Sequence, residues 1–252
     1  MPPQPSSTAV EIKVNVAIEH AEAALRALGL AEADGKQRRI WFYEHVIGIE
    51  GPAALPLFHR SVIIRVRRKP TRQEGDITVK LRGAELELPD EWSTARRGPT
   101  WAFKIEGDWT GDRRTTSASL SADFDDDQPP ARRAPRLSDL TIPRQVDLLH
   151  RAIAVPIDIG ALRPLGPINA RAWRPTDVGF TEKVAAEHWR AGSLQFLELS
   201  VRVEADAEAA QRNFDAFLTA RGVQVAAVTE TKTELVLRHF ADRGSRTASR
   251  IG

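Results

Sequence analysis

The sequence predicts an α+β protein organised around a mainly antiparallel β-sheet. Most of its apolar residues alternate strictly with polar ones, the period of a strand with a single buried face. Helical patterns stand apart from these runs, at the front, the middle and the back of the chain. At 252 residues, the chain is long enough for a sizeable core in one large domain or two small ones.

Residues Met1 to Ala9 (MPPQPSSTA) form a Pro/Ser-rich stretch that reads as a disordered tail. In the first strand Val10, Ile12, Val14 and Val16 alternate with Glu11, Lys13 and Asn15. A short helix, Glu19 to Leu28, is stopped by Gly29. Arg39 to Ile49 (RIWFYEHVIGI) reads as the second strand. In Ser61 to Lys69 the cations Arg65, Arg67 and Lys69 oppose Val62, Ile64 and Val66. In Asp76 to Arg82, Thr78, Lys80 and Arg82 oppose Ile77, Val79 and Leu81. Trp101 to Trp109 sets Lys104, Glu106 and Asp108 against Phe103 and Ile105, with Gly107 leaving a gap in the apolar face.

Ala122 to Arg136 is a loop by composition, acidic and then basic. Its Asp123, Asp125, Asp126 and Asp127 lack the Gly-spaced pattern of a cation loop and read as solvated. Ser138 to Val155 carries a helix, with Thr141 as N-cap, Pro143 in the first turn and a stripe of Val146, Leu149 and Ile153. Ile168 to Arg174, Gly179 to His188 and Gln195 to Glu204 read as strands, and Ala207 to Ala220 as an amphipathic helix closed by Gly222. A short strand at Val223 to Val228, a segment Lys232 to Phe240 and a polar tail beyond Ala241 complete the chain.

Composition excludes several classes. With no cysteine there is no disulfide, thiol nucleophile, iron–sulfur cluster or Cys-ligated zinc. The six histidines show no zinc spacing, and no P-loop, Gly-x-Ser-x-Gly elbow or dinucleotide fingerprint is present. The 36 Lys+Arg against 34 Asp+Glu lack the excess that a nucleic-acid coat needs. No apolar run approaches a membrane span and Met1 to Ala9 is too polar for a signal peptide, so a cytoplasmic protein is expected. Of the cations 29 are arginine, a choice that suits phosphate but also follows from an Ala/Arg/Pro-rich compositional bias. The six tryptophans read as core and exterior packing.

The polar strand faces carry cations and carboxylates in ordered succession, and that succession resembles the CYTH family of triphosphate tunnel enzymes. The opening Glu-x-Glu-x-Lys strand of the family is matched by Glu11-Ile12-Lys13-Val14-Asn15 and its aromatic strand by Trp41-Phe42-Tyr43. Its basic strands are matched by Arg65-Val66-Arg67, Thr78-Val79-Lys80-Leu81-Arg82 and Arg171-Ala172-Trp173-Arg174. Its acidic strands are similar to Lys104-Ile105-Glu106-Gly107-Asp108 and Glu198-Leu199-Ser200, and its closing Lys segment to Thr231-Lys232-Thr233-Glu234.

The resemblance implies that the sheet closes into a tunnel-like barrel with helices packed outside. It implies a single domain over residues 10–240, an insertion near 122–160 and a flexible tail over 241–252. It implies that Arg65, Arg67, Lys80, Arg82, Lys104, Arg171, Arg174 and Lys183 bind a triphosphate or nucleotide small molecule. Glu11, Glu106, Asp108 and Glu198 would hold Mg²⁺ or Mn²⁺ for hydrolysis. Neither a nucleic-acid polymer nor a membrane is an expected partner. Lys13, Asn15 and Ser200 depart from the family pattern, removing two carboxylates and placing an ammonium where one is expected. The alternative is therefore a tunnel that binds polyphosphate or a nucleotide without metal chemistry, and a third reading is a purely structural barrel.

Overall fold

The computed structural model describes residues 9–45, 55–70, 74–84, 86, 88–125, 134–152, 157–226 and 231–248, with backbone alone at 152 and 242–248. Residues 1–8 of the expected tail, Asp126 and Asp127 of the acidic loop, Ile153 of the middle helix and residues 46–49 of the second strand lie outside this set.

Among the described residues ten strands form one sheet, in the order β1 (Val10–Val16), β10 (Leu194–Val203), β9 (Val184–Ala191), β8 (Arg163–Thr176), β2 (Lys36–Glu44), β3 (Val62–Arg68), β4 (Glu74–Gly83), β7 (Arg113–Asp125), β6 (Trp101–Thr110) and β5 (Arg96–Arg97). Neighbours in this order pair antiparallel. A further pairing of β1 with β6, this one parallel, closes the sheet into a barrel and leaves only the two-residue β5 outside the ring.

Closure gives the alternation its meaning. The apolar residues face outward, beneath helices. Ile12, Val14, Leu197, Leu199 and Val201 pack against Phe214 and Leu218 of α4 (Ala207–Ala220) and against Ala21 and Ala24 of α1 (Ala21–Ala27). Ile64, Val66, Ile77, Val79, Phe103 and Leu120 pack under Leu148 and Leu149 of α3 (Pro143–Ala152). Hiding such side chains contributes roughly 1.5–3 kcal/mol each. The opposite, charged faces therefore turn toward the barrel axis.

At one end of the barrel the interior itself becomes apolar. Ile40, Phe42, Ile63, Trp189 and Phe196 cluster there with Val236 and Leu237 of α5 (Lys232–Ala248). The helix sits as a stopper in that end, with Lys232 and Thr233 in its first turn facing the cavity. A four-residue turn, α2 (Pro56–His59), is tied on by Glu44, whose carboxylate accepts from the backbone N–H groups of His45, Leu57 and Phe58.

Several sequence expectations change. Asp123 and Asp125 are exposed as expected but belong to β7 rather than to a loop, because Thr115, Ser117, Ser119, Ser121 and Asp123 alternate with Ala118, Leu120 and Ala122 as a strand with one small, polar face. Weak hydrophobicity hid that period. Thr141 does not cap α3: its hydroxyl donates to the Leu137 carbonyl, while Gln145 accepts from the Ile142 N–H and takes the cap role from inside the helix. Gln145, Leu148 and Leu149 are buried, whereas Val146 is only partly covered. Finally, α5 runs through Ala248, beyond the expected boundary at 240, since propagating a helix costs little once it is nucleated.

The seam explains the gap at Gly107. It lies opposite Val10, and a Cβ there would stand 2.8 Å from Val10 Cγ2. Gly107→Ala is expected to destabilise by about 1–3 kcal/mol through overpacking, and adding Val10→Ala should recover much of the loss. Urea denaturation midpoints of the single and double variants measure this.

Candidate functional site

The barrel encloses a cavity of about 780 Å³ lined by Glu11, Lys13, Arg65, Arg67, Thr78, Lys80, Arg82, Lys104, Glu106, Ser119, Ser121, Asp123, Glu187, Glu198, Ser200 and Lys232. Alternation places them there: Arg65 pairs in register with Thr78, Thr78 with Ser121, Lys80 with Ser119, and Ser119 with Lys104. The exposed Arg97 and Thr100, with Trp101 and Trp173, border the same cavity.

Asp108, buried and not itself among the cavity-lining residues, is the electrostatic hub behind Lys13, Lys80 and Arg82. Its side chain is 4% exposed and meets Lys13 Nζ at 2.6 Å on one oxygen. On the other it meets Lys80 Nζ at 2.7 Å and an Arg82 nitrogen at 3.0 Å. Burial alone would raise its pKa, but Lys13, Arg82 and Lys80 together hold it well below the usual carboxylate range. Lys13 also reaches Glu11 at 2.9 Å. Burial works against its charge too, and Glu11 and Asp108 outweigh it, so Lys13 is held firmly protonated. Lys80 is the weak member: burial first, then repulsion from Lys13 and Arg82, pushes it down to about 7 despite Asp108.

On the neighbouring strands β10 and β9, Glu198 and Glu187 are cross-strand partners. Lys232 joins them, reaching Glu198 at 2.6 Å and pairing with Glu187. The Trp189 indole N–H donates to Glu187 at 3.1 Å, and the Lys232 ammonium lies 4.8 Å from the Trp189 ring centroid. Burial would raise Glu187, but Lys232 and Arg67 bring it to about 2. The sequence marked this lysine through its closing segment and Glu198 as an acid of the site, but not that the two pair with each other.

Two cations stand differently. Arg67 is neutralised by Asp76, to which its Nε donates at 3.0 Å. Asp76 carried no sequence signal beyond its place at the head of a strand. Arg65 has no ion-pair partner among the described residues, and its Nε is sealed from solvent without an acceptor. Burial and then repulsion from Arg67 push it down to about 10, so it stays a cation at neutral pH.

The remaining predicted residues do not converge on the cavity. Arg171 lies outside the barrel, bonded to the Glu32 carbonyl at 2.5 Å and its carboxylate at 3.2 Å. There it borders a separate hollow of about 610 Å³ between α1 and the outer faces of β2, β8 and β9. The register explains the displacement, since Arg171 shares its face with Gln37 and His188. Arg174 and Lys183 are exposed and do not line the cavity.

The four carboxylates expected to hold a metal are engaged by the protein's own cations. Glu11 is held by Lys13, Asp108 by three cations, Glu106 by Arg202 and Glu198 by Lys232. Among the described residues, no group of three or more His, Asp or Glu converges as a metal centre would require. The residues present do not fit a divalent ion.

No protein-family model and no curated protein sequence matches the chain. Solved structures do. A Bacillus halodurans protein described as a candidate adenylate cyclase aligns at a TM-score of 0.53 and 14% identity, covering 90% of this chain and 95% of the other. The Hippeastrum protein HpAC1, described as a candidate adenylyl cyclase with a dominant triphosphatase activity, aligns at 0.57 and 14% identity, covering 94% and 96%. The likeness is one of fold: the closed, charge-lined barrel implied by the CYTH resemblance is the architecture observed.

Lys232→Met would leave Glu187 and Glu198 facing each other without their cation. The expected cost is about 3–5 kcal/mol, the range for breaking a buried ion pair from one side. Adding Glu198→Gln should return part of it, and thermal denaturation of both variants tests the coupling.

Proposed function

We propose that the tunnel binds the triphosphate group of a small molecule. The observation that carries this reading is Arg65, a half-buried guanidinium whose Nε is sealed without an acceptor and which has no ion-pair partner among the described residues, facing a cavity shared with Arg67, Lys80, Arg82 and Lys104. A buried charge left unpaired is costly, and a polyanion supplies the partner. Guanidinium groups take phosphate oxygens two at a time while the ammonium groups act as point charges. A phosphate oxygen near Lys80 would also favour its charged form, which the ligand-free tunnel opposes. The serine and threonine hydroxyls of Thr78, Ser119 and Ser121 add neutral donors.

Hydrolysis of the bound triphosphate is the second reading. The fold shared with HpAC1 favours it, as does Glu106, an acid on the cavity wall whose partner Arg202 is 48% exposed. Turnover lost in Glu106→Gln would support it.

Titration calorimetry with inorganic tripolyphosphate, thiamine triphosphate and ATP is expected to show saturable binding of at least one. Arg65→Gln should weaken it about 10- to 100-fold, as for one charged hydrogen-bonding contact of ~1.5–3 kcal/mol. Arg26→Gln, on the exposed face of α1, should not. Absence of binding by all three compounds overturns the proposal.

A further inference from the structure

We propose that the Lys13 ammonium is a resident cation standing where a divalent ion would bridge Glu11 and Asp108, so that the tunnel takes its anion without a metal. The inference rests on the triphosphate-binding reading for its ligand and on the seam geometry for its site. The parallel pairing of β1 with β6 sets Glu11 directly beside Asp108, two carboxylates on adjacent strands. Such a pair needs a cation between or beside it. Lys13, two residues along β1 and on the same face as Glu11, supplies one at 2.9 and 2.6 Å from the two groups.

The arrangement also excludes a rival. The second oxygen of Asp108 is taken by Lys80 and Arg82, so neither oxygen is left for an incoming ion. A divalent cation would have to displace the ammonium or sit against it, and like charges this close repel strongly. The residues that face Lys13 and Asn15 across β10 are Ser200 and Glu198, and Glu198 is already committed to Lys232. What remains on the Lys13 side is a hydroxyl, a poor substitute for a carboxylate toward a hard ion.

Lys13 lines the cavity as well as the carboxylate pair. Its ammonium carries three donors, two of which the carboxylates can take. The charge it presents to the cavity replaces the neutralisation that a metal ion gives a polyphosphate. A lysine is also fixed by its covalent stem, so this cation cannot be removed by chelation or diluted away.

The test has two arms. In the first, wild-type protein is titrated with inorganic tripolyphosphate in EDTA, in Mg²⁺ and in Mn²⁺. Binding in EDTA is expected to be as tight as, or tighter than, binding with either metal, because free ions compete for the ligand. In the second arm Mn²⁺ alone is titrated, by electron paramagnetic resonance, into wild type, Lys13→Met and Lys13→Glu. Only Lys13→Glu, which removes the ammonium and adds a carboxylate beside Glu11 and Asp108, should gain Mn²⁺ affinity, by about tenfold or more. Tripolyphosphate binding by Lys13→Met in EDTA should fall by a similar factor.

Wild-type binding that strengthens tenfold or more with metal overturns the inference, and so does equal Mn²⁺ affinity in wild type and Lys13→Glu. If no condition yields tripolyphosphate binding, the triphosphate reading fails while the Mn²⁺ arm still decides the role of Lys13. Should Lys13→Glu not fold, the wild-type EDTA and metal titrations remain decisive.

Discussion

A charge turned away from water must meet an opposite charge or a strong hydrogen-bond partner, and the interior of this barrel is arranged to satisfy that condition. Asp108 shows it most completely, with three cations on two oxygens at 4% exposure. The other interior acids repeat the pattern, Asp76 with Arg67 and Glu187 with Lys232. With these acids satisfied internally, Arg65, which has no ion-pair partner among the described residues, marks a place where an incoming anion gains. Near-neutral net charge and a strongly charged tunnel are thus compatible: the totals cancel while the positions do not.

The apolar half of the fold was legible in the sequence, for a physical reason. Alternation such as Val10, Ile12, Val14, Val16 or Ile77, Val79, Leu81 admits one burial pattern in a strand, and each of these residues other than Val10 is buried. The helix Ala207–Ala220 was equally plain, since Ala210, Phe214 and Leu218 recur at four-residue steps and all are buried. β7 was not legible, because Thr, Ser and Ala carry little hydrophobic contrast and its outward face relies on Leu120 and alanines.

Site residues were legible where strand parity alone decides the direction of a side chain, as for Arg65, Arg67, Lys80, Arg82 and Lys104. Parity fails where the register is set by a distant partner. Arg171 sits two positions from Asn169, both on the outer face that β8 shares with Gln37 and Arg190, and nothing local in Arg-Ala-Trp-Arg reveals which arginine faces out. The pairing of Lys13 with Asp108 spans 95 positions in the chain, so it is visible only once β1 and β6 are seen side by side. Helix α5 is the same kind of case: its amphipathic sequence does not say that its apolar side fills the mouth of a barrel.

The parallel seam has a kinetic consequence. β1 begins at Val10, and its partners are β6 at Gly107–Thr110 and β10 at Leu197–Val203. Strand β1 therefore has no partner close to it in sequence, and one of its two edges must wait for β10. Contacts of such separation are slow to form, because loop closure is paid before they reward it. As the chain emerges from the ribosome, an uncovered strand bearing Ile12, Val14 and Val16 persists until β10 has been made. Its alternating Glu11 and Lys13, which neutralise one another in the finished barrel, meanwhile keep that waiting edge charged, a feature that discourages pairing with other nascent chains.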